Sequence, residues 1–323
     1  MRYKYVIFVL LLALAVVAPV VVDNEYFTHV LVLTYIFAIF ALSYDLVIGG
    51  MGQISLGQQA FLGVGAYVSA ILSSKLGVPV WLCLFAAVFA AGAVGLFIGC
   101  VSLRIRGAYL AIVTLGFAMI LWMIAMGWRA VTNGQMGIRE IPPLVIGLPF
   151  LPRIEFDSPG KYYYLALVFL LFTIYFISRL MKSRLGMAIT ALRENEDRSA
   201  ILGIGAFVHF LSAFTISAAL AGFAGFAYVH YIAFVDPKIL SQYYMITGLI
   251  MVIVGGTTTI GGPIVGALIF FFLPEWLRIA QEARLILFGA MLLIFNTLMP
   301  QGIYPASLAL RRFVLERGWR RQQ

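Results

Sequence analysis

Residues 79–101 read PVWLCLFAAVFAAGAVGLFIGCV, a run without a single charged side chain. A helix needs about 20 mainly apolar residues to cross the hydrocarbon core of a bilayer, and this run is long enough. In lipid the backbone must satisfy its own hydrogen bonds, which a helix does and an open strand does not. The stretch therefore predicts a transmembrane helix.

Similar apolar segments recur along the whole chain. The sequence predicts about ten spans, near 5–22, 29–48, 58–75, 79–101, 107–127, 162–180, 207–230, 242–256, 262–280 and 284–300. The composition agrees, since 63% of the residues are hydrophobic, only 11% are charged and the mean hydropathy is +1.02. We expect an all-α, polytopic transmembrane bundle that forms a single domain over residues 1–323.

The first segment allows a second interpretation. Arg2 and Lys4 precede its apolar run, as in a secretory signal peptide. However, Ala18-Pro19-Val20 is a poor cleavage site for a signal peptidase, so a retained helix is the expectation.

The distribution of basic residues predicts the orientation. With a cytoplasmic N-terminus and alternating spans, 14 of the 22 Lys and Arg lie inside with five of the 13 acids. The outer side then holds eight of each sign, so the whole net charge of +9 falls on the inner face. This bias follows the positive-inside rule and predicts that both termini are cytoplasmic. The charge indicates contact with anionic lipid headgroups, and no pattern typical of nucleic-acid binding accompanies it.

Two glycine-rich stretches interrupt the apolar segments. Residues 49–57 read GGMGQISLG and residues 255–263 read GGTTTIGGP, and both lack charge. Such stretches either break a helix inside the membrane, next to a substrate route, or form tight turns at its surface. The pairs Gly95/Gly99 and Gly262/Gly266 are spaced for close helix packing.

The sequence offers no catalytic or metal-binding pattern. It contains no phosphate-binding loop, no His-Glu-x-x-His and no Cys-x-x-Cys, and His29, His209 and His230 are far apart. We therefore expect no cofactor, no metal and no enzyme activity. The spans also lack the buried acid that an ion-driven carrier needs, so the energy for uphill transport is expected to come from another polypeptide.

Four polar residues lie in or beside apolar segments: Gln53, Ser55, Gln58 and Thr114. They are candidates for lining a translocation path, because a zwitterionic solute needs polar groups along its route. The alternative is that each bonds a neighbouring helix.

The long inner loop, about 179–206, differs from a simple connection. It combines both charge signs with apolar Leu192, Ile201 and Leu202, and predicts a short amphipathic helix ended by glycine. The helix either lies against lipid or docks a soluble partner. The outer loop, about 128–161, is the other long polar stretch.

Five segments together resemble branched-chain amino acid ABC transporter permeases, specifically the larger of the family's two permease subunits. They cover roughly residues 40–305 and are GQISLG at 52–57 with AF and GVGAY after it, LRIRGAY at 103–109 with VTL, SRLG to ALRENE at 183–196, AFTISAALAG at 213–222, and GG to GGPIVGA at 255–267. The resemblance departs from the family pattern at Gln58, Asn133, His209 and Gln301, which leaves open a related solute such as urea or a short amide.

The resemblance implies a partner set and a site. The partners are a second, different permease subunit, two ATP-binding cassette ATPases and a periplasmic substrate-binding protein, in a bacterial inner membrane. The residues implied at the ATPase-coupling surface are Arg184, Gly186, Arg193, Glu194, Asn195 and Glu196. A carrier or channel that needs no ATPase, and a membrane enzyme, are the competing classes.

Overall fold

The computed structural model describes residues 24–146, 154–156 and 158–276, and a few positions between 16 and 19. The helices are α1 (Glu25–Asp45), α2 (Gln58–Ala70), α3 (Val80–Ser102), α4 (Ala108–Gly127), α5 (Arg129–Thr132), α6 (Pro159–Met181), α7 (Arg184–Glu194), α8 (Glu196–Ile201), α9 (Ala206–Ile232), α10 (Gln242–Gly255) and α11 (Gly261–Trp276). Single π-helical turns extend α1 (Leu46–Gly50) and α2 (Ile71–Lys75), and 3₁₀ turns occur at Gly134–Met136 and Pro237–Leu240. The strands are β1 (Ile138–Arg139), β2 (Val145–Ile146), β3 (Ile154–Glu155) and β4 (Phe234–Val235).

The predicted helical bundle is confirmed. Five helices are long and apolar enough to cross a membrane: Glu25–Gly50, Val80–Ser102, Ala108–Gly127, Pro159–Met181 and Ala206–Ile232. Each predicted span between residues 29 and 280 coincides with a helix to within a few residues. The predicted segments 5–22 and 284–300 lie almost wholly outside the described residues, so the total of ten remains a prediction.

Helix α9 packs along α3, α2 and α1. Small residues permit these contacts, because a Cβ on Gly65 of α2 would collide with the backbone of Gly222 on α9. The glycine pair of α3 has the predicted packing role, since Gly95 lies against Ala218 and Gly99 against Phe214. Close backbone approach supplies the van der Waals contact that holds helices together in lipid.

Helix α1 is the most enclosed of the five long helices, and it packs against α6, α9, α10 and α11. Its side chains are buried on all sides between Val30 and Val47, with few exceptions. By contrast, α3 and α4 leave large apolar side chains such as Phe89 and Met123 exposed. A helix that is apolar all round belongs in the interior of a bundle, whereas exposed apolar faces suit lipid or another membrane subunit.

The polar connections gather at two ends of the bundle. At one end, β1 pairs antiparallel with β4, and Lys75 Nζ donates to the carbonyl of Val131 at 2.8 Å. At the other end, Arg106 forms an ion pair with Glu196. Loops predicted for the same side of the membrane therefore contact one another.

Candidate functional site

The first glycine-rich stretch leads the chain back into the bundle. After the π turn that ends α1, residues 52–57 form neither helix nor strand, and α2 begins at Gln58. The Gln58 Nε2 donates to Ser217 Oγ at 2.6 Å. Ser217 lies eleven positions after Ala206, about 16 Å along α9 from its start. Helix α2 thus begins beside the middle of α9 rather than at its end, which favours the interpretation as a broken helix for this stretch.

Buried hydroxyl groups satisfy the backbone of this re-entrant segment, residues 51–57. Leu56 N–H donates to Thr114 Oγ1 at 3.0 Å, and Tyr44 O–H donates to the carbonyl of Ser55 at 2.6 Å. Gly57 N–H donates to Ser55 Oγ at 3.3 Å. Backbone that leaves regular structure at membrane depth needs such partners, because lipid offers none. These bonds fix the position where α2 starts.

The four candidate path residues differ in burial and in hydrogen bonding. Ser55, Gln58 and Thr114 are buried and bonded within the re-entrant segment and its neighbours, whereas Gln53 is partly exposed. Ser55, Gln58 and Thr114 form hydrogen bonds with neighbouring parts of the bundle, as the alternative interpretation expects. A role for the four residues in lining the path remains a prediction. The sequence did not single out Ser217, which links α2 to α1 by donating to the carbonyl of Ser43 at 2.5 Å. The sequence does contain a feature that could have identified Ser217, since its hydroxyl group lies in the middle of a long apolar span.

A cavity of about 470 Å³ lies beside the start of α2. It is lined by Gln59 rather than Gln58, together with residues of α4 and the first turn of α10. Gln59 is 1% exposed, and its Oε1 accepts no hydrogen bond from the described residues. Gln58 and Gln59 are adjacent in the sequence, and α2 is apolar on most sides. Helical periodicity therefore could not predict which of the two amides lines the cavity.

A second cavity, of about 200 Å³, lies where the membrane helices meet the inner loop. Asp45 at the end of α1 faces it, and so does Arg193 of α7. Asp45 Oδ1 accepts a hydrogen bond from Thr258 N–H at 3.2 Å, in the turn between α10 and α11. A Cβ on Gly52 would lie 2.9 Å from Arg193 Cγ. This inner junction, formed by Asp45, Arg193 and Thr258, therefore places α7 against the re-entrant segment and around one cavity with the end of α1 and the α10–α11 turn.

The inner loop contains two short helices instead of the single helix predicted from its sequence. Ser183 Oγ accepts from Gly186 N–H at 3.4 Å at the start of α7. Asn195 Oδ1 accepts from Arg198 N–H at 2.9 Å at the start of α8. Because Asn195 has extended backbone and caps the second helix, it separates the two. The predicted glycine ending is present at Gly203, whose φ is +79°.

The residues assigned to the coupling surface play different structural parts. Gly186 lies against the backbone at the end of α6, where a Cβ would not fit. Glu196 is paired with Arg106, and Arg193 lines the inner junction. Arg184 and Glu194 are exposed. An ATPase contact for these residues remains a prediction.

Exposed apolar side chains accompany the charges of α7 and α8. Met187 is 60% exposed, Ile201 85% and Leu202 79%. The sequence pattern indicates Ile201 and Leu202 as apolar side chains of this loop but does not indicate Met187. The exposure of Met187 could have been predicted from helical spacing on α7, because Ile189 and Leu192 lie on the buried face and Met187 lies on the opposite one.

The three histidines are hydrogen bonded at separate places. His29 Nδ1 lies 2.7 Å from Tyr231 Oη, and His230 lies 2.7 Å from both Ser69 Oγ and the carbonyl of Pro142. His209 Nδ1 lies 2.6 Å from the carbonyl of Gly205. Within the described ranges no three His, Cys, Asp or Glu residues come together as a metal site would require.

Comparison with known proteins agrees with this architecture. Residues 26–296 match the family model described as the permease component of branched-chain amino acid transport systems. The chain is 33% identical over 317 residues to the high-affinity branched-chain amino acid transport system permease protein LivM of Escherichia coli K12, covering 93% of this chain and 74% of that protein. It is 32% identical to LivM of Salmonella typhimurium LT2, covering 92% and 74%. No solved structure matches. The chain therefore belongs to the branched-chain amino acid permease family and is a multi-pass membrane protein.

Proposed function

We propose that this chain is the membrane-spanning permease subunit of an ATP-driven importer for branched-chain amino acids. In this proposal a periplasmic binding protein delivers leucine, isoleucine or valine, and a second permease subunit completes the pathway. Two ATPase subunits bind the inner face and drive alternating access. The complex lies in a bacterial inner membrane, and both termini of this chain are cytoplasmic.

The inner loop carries this proposal. It presents exposed Met187, Ile201 and Leu202 among charged side chains, which suits docking of a soluble protein. The same segment is tied to the bundle by the Glu196–Arg106 ion pair and by the inner junction. A displacement of α7 and α8 would therefore be transmitted directly to the end of α1 and to the re-entrant segment.

The uncharged spans support an external source of energy. In the five long helices the acids are Glu25 and Asp45, at the two ends of the first, and the centres of all five contain no Asp, Glu, Lys or Arg. Ion-coupled carriers usually bind their ion at such a group inside the membrane. The name and extent of the two LivM relatives support branched-chain amino acids as the solutes.

The test is reconstitution of the complex that co-purifies with this chain in proteoliposomes. We expect uptake of labelled leucine that requires ATP, the ATPase subunits and the binding protein. Uptake without ATP would show a carrier or channel instead. Uptake of urea or a short amide in place of leucine would show a different solute.

A pair of charge reversals tests the docking surface. Glu194→Arg changes an exposed charge on α7, and we expect it to reduce recovery of the ATPase subunits with this chain. Glu155→Arg, which reverses an exposed charge on the opposite end of the bundle, is the control and should leave recovery unchanged. Equal recovery in both variants would refute docking at α7.

A further inference from the structure

The cavity beside the start of α2 has a polar end and an apolar wall. Its wall comes from successive turns of α4, with Leu115, Met119 and Trp122, and its polar end from Gln59 and Ser241. The volume of about 470 Å³ lies within the range of roughly 300–1,000 Å³ that is usual for small-molecule sites. The cavity lies beside Gln59, the second residue of α2, and opens on the surface of the bundle between the exposed side chains of Met123 and Tyr243.

The first turn of α10 supplies hydrogen-bond donors at the polar end. Ser241, Gln242 and Tyr243 line the cavity, and α10 has no side-chain cap at Ser241. The first N–H groups of a helix have no partner within the helix and carry a partial positive charge. Such a helix start is suited to bind an anionic group, and a carboxylate is one.

Gln59 supplies the complementary acceptor. Its side chain is buried, and its Oε1 accepts no hydrogen bond from the described residues. An unpaired buried acceptor is costly, so a ligand that donates a hydrogen bond there is favoured. An ammonium group is such a donor.

We propose that this cavity is a transit site for an apolar α-amino acid. The carboxylate binds the N-terminal amides of α10, the ammonium donates to Gln59 Oε1, and the branched side chain contacts Leu115 and Trp122. The proposal rests on the proposed function and deepens it, because it identifies where this subunit holds the solute between delivery and release.

Two variants test the polar and apolar ends separately. Gln59→Leu removes the acceptor, and Tyr67→Phe is its control, because Tyr67 Oη is another buried atom of α2 that forms no hydrogen bond with the described residues but lies outside the cavity. Met119→Trp narrows the cavity, and Ile120→Trp is its control, because Ile120 is exposed on the same helix and does not line the cavity.

The measurement is the number of amino acids transported per ATP hydrolysed by the reconstituted complex, with the binding protein saturated. Gln59→Leu should lower this ratio for leucine about tenfold, as expected for a lost hydrogen bond to a charged group, while the binding protein still stimulates ATP hydrolysis. Met119→Trp should lower leucine transport relative to valine about tenfold, the effect of one methylene in an apolar pocket. Both controls should behave as the unaltered chain does.

The outcomes separate the two proposals. If the unaltered complex moves leucine, but Gln59→Leu keeps the normal ratio and Met119→Trp keeps the normal preference, the transit site is refuted and the proposed function stands. Equal losses in the variants and their controls would refute it as well, because they would reflect general destabilisation. If the unaltered complex moves no amino acid, the proposed function fails and the transit site fails with it.

Discussion

The two glycine-rich stretches look alike in sequence and differ in the fold. Residues 49–57 enter the bundle and deliver Gln58 to a buried partner in the middle of α9. Residues 256–260 instead make a turn between α10 and α11, at the end of the bundle that holds the inner junction. The first stretch is held by buried hydroxyl groups of Tyr44 and Thr114, whereas the second combines a local turn with a bond from Thr258 N–H to the carboxylate of Asp45. Glycine content alone therefore does not distinguish a broken helix from a turn.

The largest expected effect comes from closing the space that the re-entrant segment occupies. A Cβ on Gly57 would lie 2.7 Å from the carbonyl oxygen of Thr114. We expect Gly57→Ala to destabilise the protein by about 3 kcal/mol, because two backbones must separate. The measurement is the thermal unfolding midpoint of the purified complex in detergent.

Gly116 of α4 provides the matched control for Gly57. A Cβ there meets nothing within 4 Å, so Gly116→Ala should be neutral or raise the midpoint slightly through helix propensity. Similar losses in both variants would contradict the idea that the re-entrant segment is packed against α4.

A smaller effect is expected when the buried partner of the re-entrant segment is removed. Ser217→Ala leaves Gln58 Nε2 and the carbonyl of Ser43 without their partner, which should cost about 2 kcal/mol. Ser212→Ala is the control on the same helix, since Ser212 Oγ donates to the carbonyl of Val208 and this bond stays within α9. Unfolding midpoints that fall equally would show that the bond from Gln58 contributes nothing specific.

The sequence predicted the helices well because their signal is strong. Long uncharged runs such as 80–102 admit one structure in lipid, so the boundaries of the longest helices were close to those observed. The divided inner loop was predicted less accurately. Asn195 was assigned to partner contact, and its role as a cap between two helices became visible only with the backbone conformation.

The site could be predicted only in part, because it depends on which helices become neighbours. Gln58 and Thr114 were chosen as polar residues in apolar surroundings, and this is also the pattern of the residues that hold the re-entrant segment. Gln59 has the same local sequence context, yet it alone of the two amides meets the cavity. The inner junction joins Asp45, Arg193 and Thr258, which are far apart in the chain and have no shared pattern.

The smallest expected effect comes from a substitution in the turn of residues 256–260. Thr258 has a φ of +71°, in the left-handed region that a β-branched residue rarely adopts. Thr258→Gly removes this strain, while added freedom in the unfolded chain offsets part of the gain, so the unfolding free energy should rise by no more than about 1 kcal/mol. The bond to Asp45 should persist, because its donor is the backbone N–H.

Thr257→Gly is the control, since Thr257 does not have a positive φ and gains only flexibility there. If Thr258→Gly lowered the unfolding midpoint as much as Thr257→Gly does, the turn would not be governed by its local geometry and the contrast with the re-entrant segment would fail.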